Sequence, residues 1–183
     1  MFIQTETTPN PASLKFLPGR EVLVEGSADF RDAQAATVSP LARRLFEIDG
    51  VVGVYLGDEF ISVTKADGLE WHHLKPAILG TIMEHFMAGL PVLNAGTELE
   101  NNAASESDSD IVRQIRELIE TRVRPAVAQD GGDIIFNRFE EGVVFLTMRG
   151  SCSGCPSSTA TLKNGIENML RHYVPEVVEV RQV

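Results

Sequence analysis

The chain has 183 residues, 43% of them hydrophobic, with 16 Lys and Arg against 26 Asp and Glu and a formal net charge of −10. That length holds one medium domain or two small ones. The acidic balance is the reverse of what a DNA- or RNA-binding surface needs, and no apolar run reaches the roughly 18–20 residues of a membrane helix, so neither nucleic acid nor membrane is expected as a partner.

The opening "MFIQTETTPNP" has no basic region followed by an apolar stretch, as a secretory signal would, and no Arg-rich amphipathic character, as a transit peptide would. A soluble cytoplasmic protein is expected, with a mature mitochondrial matrix protein as the alternative. The excess of acid lies mainly before residue 108. It reads as a solubilising surface, with a steering face for a basic partner as the alternative.

In chain order, "FIQTE" has strand character, and the two prolines of "TTPNP" mark a turn. "SLKFLPG" is a second strand, ended at Pro18-Gly19. Ser39 or Thr37 caps a short helix through "PLARRLFEI", with Pro40 in its first turn and Leu41, Leu45 and Ile48 on one face. "VVGVYLG" and "FISVTKA" form a hairpin around Gly57-Asp58-Glu59. "WHHLKPAILGTIMEHFMAG" is a longer helix with Leu74, Ile78, Ile82 and Phe86 buried; Pro76 marks where its regular part begins, and Gly89 ends it. Residues 94–110, "NAGTELENNAASESDSD", are polar and poor in apolar side chains, and read as a flexible acidic linker. The division is therefore an N-terminal α/β domain over 1–93, the linker, and a second domain over 111–183.

The second domain opens on a helix whose apolar face runs through Ile115, Leu118, Ile119, Val123 and Val127. Asp108 or Asp110 caps it. Pro125 kinks it or marks its last turn, and "QDGGD" ends it. "IIFNRF" and "VVFLTM" form a hairpin around "EEG". A loop containing Cys152 and Cys155 follows, then a helix with Leu162, Ile166, Met169, Leu170 and Tyr173 on one face. "EVVEVRQV" alternates as an edge strand does. The fold class is α+β in two small domains, the second in the order helix-strand-strand-helix-strand.

Cys152 and Cys155 in "GSCSGCPSS" are the only cysteines. Two thiols make no disulfide framework. Pro156 suits the first position of a helix, so Cys155 falls near the N-cap, where unpaired N–H groups and the helix dipole favour a thiolate. Gly150 and Gly154 permit close approach by a large ligand, and the surrounding serines leave room. Buried structural thiols and a redox pair are the weaker readings; too little chain follows the motif to complete a thioredoxin-type sheet. Metal binding is the strongest. Structural zinc and most iron–sulfur clusters want four ligands, and one chain offers two. A two-fold homodimer supplies four. Spacing alone does not separate zinc from iron–sulfur. His72, His73, His85 and His172 have no ligand spacing and read as surface or helix-face residues. Asp130 and Asp133 read as turn and capping residues. No phosphate loop or dinucleotide fingerprint is present.

"RPAVAQDGGDIIF" with "GSCSGCPSSTATLKNGIENML" resembles the C-terminal domain of the NifU-like (Nfu) iron–sulfur scaffold family. "TTPNPASLKFLPG" with "FISVTKADGLEWHHLKPAI" resembles the N-terminal domain that accompanies it in many members. The one departure is Ser151, where alanine is common. The resemblance covers nearly the whole chain outside the linker. It implies that Cys152 and Cys155 of two chains together hold one [4Fe-4S] cluster, in a carrier that has no catalytic residues and is not an enzyme. It further implies a homodimer through the cluster, upstream assembly proteins and apo iron–sulfur clients as partners, and an N-terminal domain that recognises them.

Overall fold

The structure, a computed structural model, describes residues 1–99, 108–153 and 156–183, with the backbone alone at 156–158. The chain divides into two compact units, Met1–Glu100 and Asn101–Val183. Both are mixed α/β. Among the described residues no helix is long and apolar enough to cross a membrane.

The first unit runs β1 (Gln4–Thr7), β2 (Ser13–Leu17), β3 (Ala28–Phe30), α1 (Pro40–Phe46), β4 (Val51–Leu56), β5 (Ile61–Lys65) and α2 (Trp71–Met87). Its antiparallel sheet has the order β1-β2-β5-β4-β3. Leu41, Leu45, Ile78 and Ile82 of the helices are buried in one core with Phe16, Val54, Leu56 and Ile61 of the strands. Ser39 is the cap of α1: its hydroxyl accepts from the Ala42 N–H at 3.1 Å, and Pro40 takes the first helical position, where its missing N–H costs nothing. Strand β3 was not expected. Three residues are too few to show a period, and pairing with β4 alone creates it. α2 starts at Trp71 and runs through Pro76. The proline removes one helical bond near the start, where His72 and Pro76 are both exposed.

The segment expected as a linker is engaged at both ends. The Asn94 N–H donates to the Val38 carbonyl at 2.8 Å, and Leu99 packs on the first core. Asp108 pairs with Arg116 at 2.9 Å. Residues 100–107 of it lie outside the described residues.

His85 is the exception among the histidines. His72, His73 and His172 are exposed, and the rings of His72 and His73 meet edge to face with centroids 4.0 Å apart. His85 is fully buried in the last turn of α2. Its Nε2 lies 2.9 Å from the Pro91 carbonyl, which only accepts, so Nε2 carries the proton and buried Nδ1 has no hydrogen-bond partner. Burial holds its pKa below the ordinary 6.5; the bond to Pro91 opposes that and Arg44 adds to it. A neutral-in-the-fold histidine contributes its full stability above the unfolded pKa. Below it, the unfolded chain takes up a proton that the folded chain refuses, so stability falls. Trp71, the sole tryptophan, reports unfolding of this unit. Its fluorescence midpoint in urea should drop between about pH 7.5 and about pH 5.5, and His85→Gln should flatten that drop. Identical slopes in the two proteins would refute the assignment.

The second unit runs α3 (Asp110–Leu118), a π-helical turn over Ile119–Val123, α4 (Arg124–Gln129), β6 (Gly132–Glu140), β7 (Val143–Gly150), α5 (Pro156–Tyr173) and β8 (Glu179–Gln182). Ser109, not Asp108 or Asp110, caps α3, accepting from the Val112 N–H at 3.3 Å. Asp108 is occupied by Arg116. The expected effect of Pro125 takes the form of the π turn: the Arg124 N–H reaches back to the Ile119 carbonyl, five residues away. The wider turn makes room where the proline ring would crowd the preceding carbonyls.

The three-stranded sheet has the order β6-β7-β8, with β6 antiparallel and β8 parallel to β7. A parallel return needs a crossover, and α5 provides it. Ile115, Ile119, Ile134, Leu146, Met148 and Leu170 fill the core. The hairpin turn is Glu141-Gly142, both with positive φ, 49° and 82°. This is the pattern that favours Asn-Gly. Glu141→Asn should therefore stabilise the unit by about 0.5–1 kcal/mol, read from the urea midpoint by circular dichroism.

Candidate metal centre

The candidate centre lies where β7 ends and α5 begins, against the start of β6. Gly132 and Gly150 form the last rung of the β6–β7 ladder. From there the chain turns sharply. Gly150 has φ 63°, and the Ser153 N–H donates back to its carbonyl at 3.1 Å. The Ser151 N–H donates to the Gly131 carbonyl at 3.2 Å. The Ser151 hydroxyl, itself buried, donates a short bond to the Asp130 carbonyl at the end of α4. The Thr159 hydroxyl of α5 donates to the Cys152 carbonyl at 3.3 Å.

Cys152 is only 7% exposed and packs into the second core. A Cβ added to Gly132 would stand 2.3 Å from its Sγ and 3.1 Å from its Cβ. The missing side chain of Gly132 is thus the seat of the Cys152 thiol. By its sequence "QDGGD" is a helix exit and nothing more, because a close approach across two strands leaves no local signal. Cys155, the second expected ligand, lies outside the described residues. Pro156 is the first residue of α5, where its sequence position suggested.

Asp133 is not a turn residue. Its carboxylate is 5% exposed and receives two hydrogen bonds from Arg124 on α4, Nε to Oδ1 at 2.8 Å and Nη2 to Oδ2 at 2.9 Å, as well as one from the Ile134 N–H. Arg124 also donates to both oxygens of Glu120 at 2.9 Å. The hydrogen bonds to Asp133 hold the Arg124 guanidinium above its ordinary range, against the opposing effect of burial. This pair ties α4 to the first residues of β6, beside the seat of Cys152. Among the described residues no three of His, Cys, Asp and Glu converge as a metal site.

Residues 3–89 match the family described as scaffold protein Nfu/NifU N terminal, and residues 115–181 match the NifU-like domain. The chain is 53% identical over 184 residues to the mitochondrial NFU1 iron-sulfur cluster scaffold homolog of Homo sapiens, a match covering 100% of this chain and 72% of that protein. The protein of the same name from Drosophila sechellia is 52% identical, with 100% of this chain and 65% of the relative covered. A NifU-like protein of Saccharomyces cerevisiae, solved in solution by NMR, aligns with a TM-score of 0.47 at 26% identity, over 52% of this chain and 86% of its own.

The chain therefore belongs to the Nfu/NifU scaffold family. It spans about 65% of the length of the Drosophila relatives that it matches. The cytoplasmic expectation does not stand, because the relatives that match over the whole of this chain are named as mitochondrial proteins. A compartment is set by an address that a receptor reads. The expectation rested on "MFIQTETTPNP" having neither secretory nor transit-peptide character and on the lack of apolar runs, and the relatives' names overrule it.

Proposed function

We propose that this protein is an iron–sulfur cluster carrier, in which Cys152 and Cys155 of two chains hold one [4Fe-4S] cluster that is passed to apo-proteins. The observation that carries this reading is the pair of thiols at a strand–helix joint, in a chain with no other cysteine and with whole-length relatives named as iron-sulfur cluster scaffolds. Soft thiolates suit iron–sulfur clusters, and a cubane takes four of them. A two-fold homodimer with the cluster on its axis supplies four. Shared across an interface, the cluster is open to the incoming thiolates of an acceptor, which is what a donor needs. Bond chemistry is not required of the chain, so it acts as a carrier and not as an enzyme.

The first unit, which has no cysteine, takes the role of recognising apo iron–sulfur clients and upstream assembly proteins. The polar segment 94–110 tethers it to the cluster unit. The compartment proposed is that of the relatives, the mitochondrion.

The test is anaerobic reconstitution with ferrous iron and sulfide, followed by mixing with an apo-ferredoxin of the four-cysteine type. Roughly four irons and four sulfides per two chains are expected, with a broad visible charge-transfer band. The band should then move to the ferredoxin on mixing. Zinc alone at the site, or dithiol–disulfide turnover without bound iron, would refute the reading.

A further inference from the structure

Resting on the carrier reading, we propose that Cys152 is a stowed ligand: in the cargo-free chain its thiol is held in the seat left by Gly132, and it turns outward about Gly150 to take up a cluster. Three observations carry this. The thiol is buried in the apolar core, where a cluster several ångströms across cannot reach it. The seat is built for the sulfur, since even one methyl group on Gly132 would overlap it. The bonds that hold the loop closed lie around a glycine with positive φ and include Ser151 N–H to Gly131, Ser151 hydroxyl to Asp130, Ser153 N–H to Gly150 and Thr159 hydroxyl to the Cys152 carbonyl.

Turning Cys152 outward breaks those contacts, the Ser153 N–H bond to the Gly150 carbonyl among them, along with its packing in the core. The β6–β7 ladder behind them stays intact, anchored by the Arg124–Asp133 pair. The arrangement protects one of the two thiols from oxidation and from adventitious metal until cargo arrives. Ser151 is then the latch, and Gly132 the seat.

The experiment uses the full chain carrying Cys155→Ser, in which Cys152 is the sole thiol, metal-free and reduced. Alkylation by iodoacetamide, followed by mass spectrometry, should run at least about tenfold slower in the folded chain than in the same chain unfolded in urea, with a cysteine peptide correcting for reagent effects. Ser151→Ala should raise the folded rate roughly fivefold, the worth of one net hydrogen bond. Gly132→Ala should raise it further by filling the seat. Gly132→Ala also risks unfolding the unit, so Ser151→Ala, which only removes one oxygen, decides. Equal rates in folded and unfolded chain overturn the proposal, as does an unchanged rate in Ser151→Ala.

With both cysteines present, Ser151→Ala should also shorten the time to full cluster colour on reconstitution. Faster alkylation with an unchanged uptake time overturns the link to cargo. The alkylation arms need no cluster, so a failure of the carrier reading, seen as no iron taken up by the unaltered chain, is registered separately.

Discussion

Cys152→Ser and Cys155→Ser should each leave the chain colourless after anaerobic reconstitution, with bound iron reduced to the background of a cysteine-free control. The reason is arithmetic. In a two-fold dimer one substitution removes two of the four thiolates, and serine oxygen is a harder, weaker donor to iron than sulfur. Full cluster content in either variant would sink the assignment of that residue. The two differ in what they do to the fold. Cys152 packs in the second core, so its serine buries a hydroxyl among apolar groups and should cost about 1–3 kcal/mol. Cys152→Ala keeps the core apolar and should melt closer to the parent, while remaining equally unable to hold a cluster. Loss of cluster in Cys152→Ala with a nearly unchanged melting curve therefore separates ligation from stability.

Arg124→Ala should destabilise the second unit by about 3–5 kcal/mol, the cost of removing the charged member of a buried ion pair. Asp133 is almost wholly enclosed, and Arg124 closes on it with two well-aligned bonds. Arg124→Lys should recover only part of the loss, because an ammonium cannot reproduce the planar fork. Glu120→Ala is the control. Glu120 contacts the same guanidinium at 2.9 Å, but it is 41% exposed and four residues away on a helical turn. Such pairs contribute less than about 1 kcal/mol. The two units can be followed apart in one chain. Trp71 fluorescence reports the first, and circular dichroism reports both. The expected result is an early loss of ellipticity with the Trp71 transition unmoved. A change under about 1 kcal/mol for Arg124→Ala would show that Asp133 finds another partner.

Both effects bear on the same corner of the molecule. The Arg124–Asp133 pair fixes the first residues of β6, and Gly132 beside it seats the Cys152 thiol. Loosening the pair should therefore raise Cys152 reactivity even under conditions where the second unit remains folded.

Periodicity and punctuation were enough to place most of this architecture. The apolar face from Ile115 to Val127, the alternation of "VVFLTM" and the proline at the head of α5 all depend on residues within a few positions of one another. Local propensity and burial pattern act at that range, so the helix-strand-strand-helix-strand order was legible from the chain alone, as was the place of Cys152 just after β7. The tertiary structure decided the rest. β3 exists only because β4 lies beside it. The π turn before Pro125 is the packed helix's answer to a residue that forbids a regular one. His85 looked like an ordinary helix-face residue until burial left its Nδ1 without a partner. At the centre, Asp130, Gly132 and Asp133 are a carbonyl for Ser151, a seat for Cys152 and a counter-ion for Arg124. Those roles come from segments that meet across the hairpin or through the helix before it. Sequence spacing has no period at such distances, and only the folded chain brings the pairs together.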